Sequence, residues 1–233
     1  MNEGPVDRRD LLHRIGLAGA ALALPSARPK PKVRNEPEED VAPAEDLMRE
    51  HGVLNRVLLV YEECLRRLST ERPDFAPRLM ADGAHIIRSF IEDYHEKLEE
   101  DHLFPRFEKA RELVGLVKVL REQHRAGRVL TDELLHLANE TGIRSPGGRD
   151  RLRANVASFI RMYRPHEARE DTVLFPALHR IVSAHEYASL GEDFERKEHQ
   201  LFGKAGFEGI VEKVASIEKE LEIYDLAKFT PVG

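Results

Sequence analysis

Tryptophan is absent from the 233 residues, and cysteine occurs once, at Cys64. A single thiol excludes an internal disulfide framework, and with no cysteine cluster there is no sulfur set for zinc or iron–sulfur chemistry. No run of eighteen apolar residues occurs, so no segment reads as a membrane span. Neither sign of charge dominates: 36 Lys and Arg stand against 42 Asp and Glu, a net charge of -6. No basic patch is written for nucleic acid. The length suits one well-buried domain with tails. What the chain holds in plenty is histidine, eleven in all, so the placement of those imidazoles becomes the question.

The amino-terminal 43 residues do not read as fold. "DRRDLLHRIGLAGAALALPSA" sets Arg8 and Arg9 before a mildly apolar stretch, Ile15 to Leu24, too short to span a bilayer. Residues 1–27 resemble a twin-arginine export signal, which implies transport of the folded chain across the cytoplasmic membrane to the periplasm or cell envelope. The alternative is a cytoplasmic protein with an amphipathic tail. Residues 28–43, with four prolines and mixed charge, read as a disordered linker.

From Ala44 onward apolar residues recur at intervals of three and four, the helical period. A first helix is expected over Ala44 to Leu68, with Leu47, Leu54, Leu58, Tyr61 and Leu65 on one stripe. "TERPDFAP" ends it, and a second helix follows over Pro77 to Lys109. The third carries Leu116, Leu120, Leu134 and Ala138, beginning at a junction near Arg111. "TGIRSPGG", Thr141 to Gly148, reads as a loop. A fourth helix is expected over Asp150 to Ile181, kinked at Pro165. Ser183 to Glu186, "SAHE", has the form of a capping box opening a shorter helix, and a last amphipathic segment follows Gly206. Short connections between long helices favour antiparallel neighbours. The expected fold is therefore an all-α, up-down-up-down four-helix bundle over residues 44–204, with a helical extension over 205–233.

One phrase is written twice. "HEKLEEDHLFP" starts at His95 and "HEAREDTVLFP" at His166, sharing His, two Glu and the Leu-Phe-Pro tail. His95 and Glu99 share a helix face, as do His166 and Glu170, because four residues make about one turn. His51 lies on the apolar stripe of the first helix, and His124 on that of the third. A rise of ~1.5 Å per residue carries the chain about 29 Å from His51 to the turn near Thr70, and about 27 Å back from Pro77 to His95. The paths from His124 to Glu140 and from Asp150 to His166 are each 16 residues long. All six side chains thus fall at one level of the bundle, and the chain is a duplicated helical hairpin.

Four imidazoles and two carboxylates in a core are costly without partners, and metal ligation would satisfy them together. Two His per ion with two shared Glu suits iron or manganese better than zinc or calcium. A rival pattern, the Glu-x-x-His of ferritin-like di-iron bundles, matches Glu92/His95, Glu99/His102 and Glu133/His136. It fails on the fourth helix, where Tyr163 stands three residues before His166.

The set His51, His95-x-x-x-Glu99, His124, His166-x-x-x-Glu170, with both Leu-Phe-Pro tails, resembles the hemerythrin-like HHE cation-binding family over about Asp46 to Phe202. The resemblance implies a non-haem di-iron centre with four terminal His ligands and bridging Glu99 and Glu170. It implies a small gas or peroxide ligand, with an electron donor if the centre turns over. The oxygen carriers of that family resemble a pattern with a second His on the third helix, where Arg128 stands here, and with Asp where Glu170 stands. The symmetric set implies nearly equivalent irons and looks more like di-iron proteins of nitrosative and oxidative stress than a simple oxygen carrier. Three readings follow: a binding protein for oxygen or nitric oxide, a di-iron oxidase or reductase, and an iron-handling protein without gas chemistry. His102, Arg128 and Tyr163 are expected around the site as pocket or supporting residues. His85, His136, His179, His185 and His199 read as surface or structural.

Overall fold

The structure, a computed structural model, describes residues 42–70 and 74–231. The export-signal resemblance and nearly all of the expected linker lie outside those residues. Helix α1 (Pro43–Leu68) opens on Pro43, expected in the linker, at the position where a missing N–H loses no hydrogen bond. Glu45 and Asp46 in its first turn and Arg66 and Arg67 in its last complement the helix dipole. Leu47, Leu54, Leu58 and Tyr61 are fully buried, so the apolar stripe is the core face. Cys64 lies among them, and burial pushes its thiol up to about 12, leaving it unreactive.

Helix α2 (78–110) is a chain of α-helical and π-helical stretches: Arg78–Ile86, Ile87–His95, Glu96–Leu98, Glu99–Leu103 and Phe104–Ala110. α3 covers Val114–Leu137. α4 (146–181) runs as Pro146–Arg169, a π turn at Glu170–Leu174, and Phe175–Ile181. α1 packs on α2 and α4, and α3 packs on the same two, which closes an up-down-up-down ring of four. Helices α5 (Ala184–Phe202) and α6 (Gly206–Glu220) lie against the α1/α2 side. Arg56 donates twice to Glu218, at 2.9 and 2.5 Å, which locks α6 onto α1.

The Leu-Phe-Pro tails shape the helices. Pro105 and Pro176 have no N–H to donate, and their rings crowd the carbonyl four residues back. Each helix widens just ahead of its proline, with Phe104 N–H bonding Glu99 O and Phe175 N–H bonding Glu170 O, five residues apart. Pro165 behaves differently from expectation. The α-helix runs through it to Arg169, and the widening comes at Glu170 instead.

Two connections also differ from their sequence reading. The segment read as a loop holds a five-residue helix, Glu140–Arg144, because Asn139 caps it through Gly142 N–H at 3.0 Å. Ser145 caps the next helix through Gly148 N–H at 3.2 Å, so α4 starts at Pro146 rather than Asp150. The α2–α3 junction carries no glycine to mark it. Arg111 (φ 58°) and Leu113 (φ 49°) take the left-handed conformation themselves. Arg111 N–H bonds Glu108 O and Glu112 N–H bonds Phe107 O, the paired closure that glycine usually makes. Ser183 does cap α5, accepting from Glu186 N–H at 3.2 Å.

Replacing exposed Arg111 with Gly should relieve the left-handed strain and stabilise the fold by ~0.5–1 kcal/mol. Thermal unfolding of Arg111→Gly reads this as a higher midpoint; a lower one means the Arg111 side chain holds the junction instead.

Candidate metal centre

Four helices deliver six side chains to one buried region. His51 comes from α1, His95 and Glu99 from α2, His124 from α3, and His166 and Glu170 from α4; none is more than 4% exposed. They form two overlapping tetrads, His51-His95-Glu99-Glu170 and His124-His166-Glu99-Glu170, whose ligand atoms lie within 4.8 Å of one another. The ring pairs follow the same division, with centroids 4.7 Å apart for His51/His95 and 5.1 Å for His124/His166. Glu99 faces both halves: its Oε1 is 3.8 Å from His95 Nε2, and its Oε2 is 3.4 Å from His124 Nε2. Glu170 Oε2 lies 3.4 Å from His51 Nε2 and 3.1 Å from His166 Nε2. Ligand atoms around an ion at ~2.1 Å stand roughly 3–4 Å apart, so these gaps match a shared cation.

The hydrogen bonding argues the same way. His95 Nε2, His124 Nε2 and both oxygens of Glu99 and of Glu170 are buried without a hydrogen-bond partner. Leaving one such group unpaired costs about 1–3 kcal/mol, more when charged, and six in contact is not an ordinary core. The donor set of imidazole nitrogen and carboxylate oxygen fits a transition metal such as iron.

Each imidazole is oriented by its other nitrogen. His51 Nδ1–H donates to Asp171 Oδ1 at 2.7 Å, and His95 Nδ1–H to Glu50 Oε2 at 2.8 Å. His124 Nδ1–H donates to Glu100 Oε1 at 3.0 Å, and His166 Nδ1–H to Gln123 Oε1 at 2.9 Å. This outer layer fixes the orientation of each ring so that every Nε2 atom faces inward. None of these four partners was singled out from the sequence, where they pass as helix charges and an amide. A signal was nonetheless present: Glu50 and Gln123 each precede a site histidine, and Glu100 and Asp171 each follow a site glutamate. The hairpin duplication therefore repeats the outer layer with the inner one.

Electrostatics follow from burial and these contacts. Burial pushes the His51 imidazole down, but its hydrogen bond to Asp171 and the nearby Glu170 carboxylate outweigh this and raise it to about 10. Burial and the neighbouring imidazoles hold His95 well below the usual range. Burial beside Glu170 raises the Glu99 carboxyl. Burial alone would raise the Glu170 carboxyl too, yet contact with His166 and His51 holds it below the usual carboxylate range. Two carboxylates this close cannot both ionise cheaply without a compensating cation.

The three supporting residues fall as follows. Arg128 reaches neither Glu99 nor Glu170; it pairs with Glu96 at 2.8 Å and with Glu100 at 2.9 Å, so it neutralises the carboxylate that holds His124. Tyr163 donates to Glu96 Oε1 at 2.8 Å and sets its ring edge on His166. His102 lies outside both tetrads and packs on Phe194 of α5. A regular helix would put it on the face of His95, but the π turn at Glu99–Leu103 adds a residue to that turn and rotates it away. Phe104 stacks on His124 and Phe175 on His51, so the repeated phrase also supplies two apolar shields. The rival motif is tied up elsewhere: Glu92 accepts from Thr131 and pairs with Arg88, and Glu133 pairs with Arg151. His85, His136, His179, His185 and His199 are exposed, and His179 stacks on Tyr187.

Gly127 admits the Tyr163 hydroxyl. A Cβ there would meet Tyr163 Oη at 2.0 Å and Cζ at 2.8 Å. Gly127→Ala should destabilise the protein by ~1–3 kcal/mol as overpacking does, and adding Tyr163→Phe should recover part of the loss. Chemical denaturation of the two variants tests this; a neutral Gly127→Ala refutes the close approach.

A family model for the hemerythrin HHE cation binding domain matches residues 42–178, more than half of the chain. Proteins of Mycobacterium bovis and Mycobacterium tuberculosis, each named only as an uncharacterized protein, are 47% identical over 234 residues. Those alignments cover 97% of this chain and 91% of each relative. No solved structure matches it. The matched segment begins beside α1 and ends in α4, holding all six clustered side chains, and the chain belongs to the hemerythrin HHE cation-binding family.

Proposed function

We propose that the chain holds two non-haem iron ions between Glu99 and Glu170, and that this centre binds or reacts with a small ligand: dioxygen, nitric oxide or peroxide. The observation that carries the reading is the inward set of six buried, unpartnered ligand atoms, shared between two tetrads. Membership of the family implies non-haem iron in that set.

Bound iron supplies redox-active Lewis acidity toward small molecules. The residues do the rest. His51 and His95 would hold one ion and His124 and His166 the other, each by the Nε2 that faces the carboxylates. Glu99 offers one oxygen to each half. Phe104 and Phe175 keep water from the imidazoles they stack on, which strengthens charge interactions inside. Tyr163 Oη and Arg128 hold Glu96 against the His124/His166 half.

His124→Ala and Glu170→Ala should each lower iron from two ions per chain to one or none by metal analysis; full occupancy in either variant refutes the ligand set. Chelation should lower the melting midpoint, because an ion at a thousandfold its Kd stabilises a fold by about 4 kcal/mol. Absorption of the anaerobically reduced protein, exposed to oxygen and then degassed, separates the ligand chemistries. A charge-transfer band that comes and goes means reversible binding, one that persists means redox turnover, and no band at all means iron handling without gas chemistry.

Export is a separate part of the proposal, resting on Arg8, Arg9 and the apolar stretch after them. Arg8→Lys with Arg9→Lys should retain a tagged chain in the cytoplasm; unchanged export refutes the signal.

A further inference from the structure

The inner ligand set is symmetric, and the layer around it is not. The two hairpins superpose in sequence by offsets of 73 for α1 onto α3 and 71 for α2 onto α4, as His51/His124 and His95/His166 show. Under those offsets Glu50, which holds His95, corresponds to Gln123, which holds His166. Asp171, which holds His51, corresponds to Glu100, which holds His124. Asn55, bonded to Glu167 at 3.0 Å, corresponds to Arg128, bonded to Glu96 at 2.8 Å.

Two of these exchanges change the chemistry of the layer, one by swapping the acceptor behind an imidazole and the other by adding a fixed charge. Glu50 becomes an amide at Gln123, and neutral Asn55 becomes cationic Arg128. Arg128 also pairs with Glu100, and Lys97 donates to the same carboxylate at 2.5 Å, so the anion behind His124 is shared with two cations. Behind His51 and His95 stand two carboxylates, Asp171 and the fully buried Glu50. A carboxylate accepting from the outer nitrogen of an imidazole makes it a better donor to metal, and an amide does so less. Charge adds to this at short range in a buried site.

We propose that the two metal positions are unequal. The position held by His51 and His95 takes the first divalent cation and binds it more tightly, while that held by His124 and His166 fills second. Glu50 is the positioning residue of the tight half, and Gln123 together with Arg128 weakens the other. This rests on the dinuclear reading above.

The test is an anaerobic titration of the full-length, chelator-stripped protein with Co(II), followed by d–d absorption and calorimetry. Wild type should take up two ions in two steps at least about tenfold apart in Kd. Glu50→Gln should weaken the tight step ~10–100-fold, the usual effect of removing an outer partner. Gln123→Glu, at a half-buried position that tolerates charge, should tighten the weak step and leave the tight one alone. Arg128→Asn should act in the same direction as Gln123→Glu. Two equal steps in wild type overturn the proposal, as does Glu50→Gln leaving the first step as tight as in wild type, or Gln123→Glu weakening the first step. Uptake of a single ion by wild type overturns the dinuclear reading, and the filling order with it. Circular dichroism of each variant guards the Glu50→Gln result, and the Gln123→Glu result stands if Glu50→Gln does not fold.

Discussion

Two carboxylates buried side by side, Glu99 and Glu170, are the constraint around which the domain is organised. In a medium of low dielectric their repulsion and desolvation oppose folding unless positive charge comes between them. Four imidazoles, one from each helix of the bundle, surround the pair and leave their Nε2 atoms facing it. The ring of four helices supplies the walls that exclude water, and the cation implied by the family supplies the missing charge.

Around that centre the helices are deformed where the chemistry needs them to be. The two π turns that precede a proline each begin at a site glutamate and end just before the phenylalanine that stacks on an imidazole. Proline sits immediately after, so one dipeptide both widens the helix and sets the shield. The same widening removes His102 from the site and gives it to the packing against α5. Proline inside a helix is therefore not one signal. Pro165 is carried within a regular α-helix, while Pro105 and Pro176 follow altered turns.

Much of this was legible in the sequence, and the parts that were not share a cause. Helical period and matched rise placed the six residues at one level, because both depend only on backbone geometry. The left-handed turn at Arg111 and the small helix at Glu140–Arg144 depend on local capping that residue type alone does not announce. Arginine occupies a place where glycine would have been a marker, and Asn139 and Ser145 turned a Gly- and Pro-rich stretch into two helix starts. The outer partners Glu50, Glu100, Gln123 and Asp171 were hidden among a large population of helix charges. Only the duplication offset distinguishes them, and it applies once the inner pairs have been matched.

The outer partners have one more property. Each sits next to a site residue in the chain yet serves an imidazole on a different helix: Glu50 of α1 holds His95 of α2, Glu100 of α2 holds His124 of α3, Gln123 of α3 holds His166 of α4, and Asp171 of α4 holds His51 of α1. The four bonds form a closed circuit in which every helix both orients its successor and is oriented by its predecessor. Fraying of any one helix removes its own histidine and unfastens the next. The histidine framework is therefore fastened as a single ring as the bundle folds, so no helix carries its imidazole into place alone.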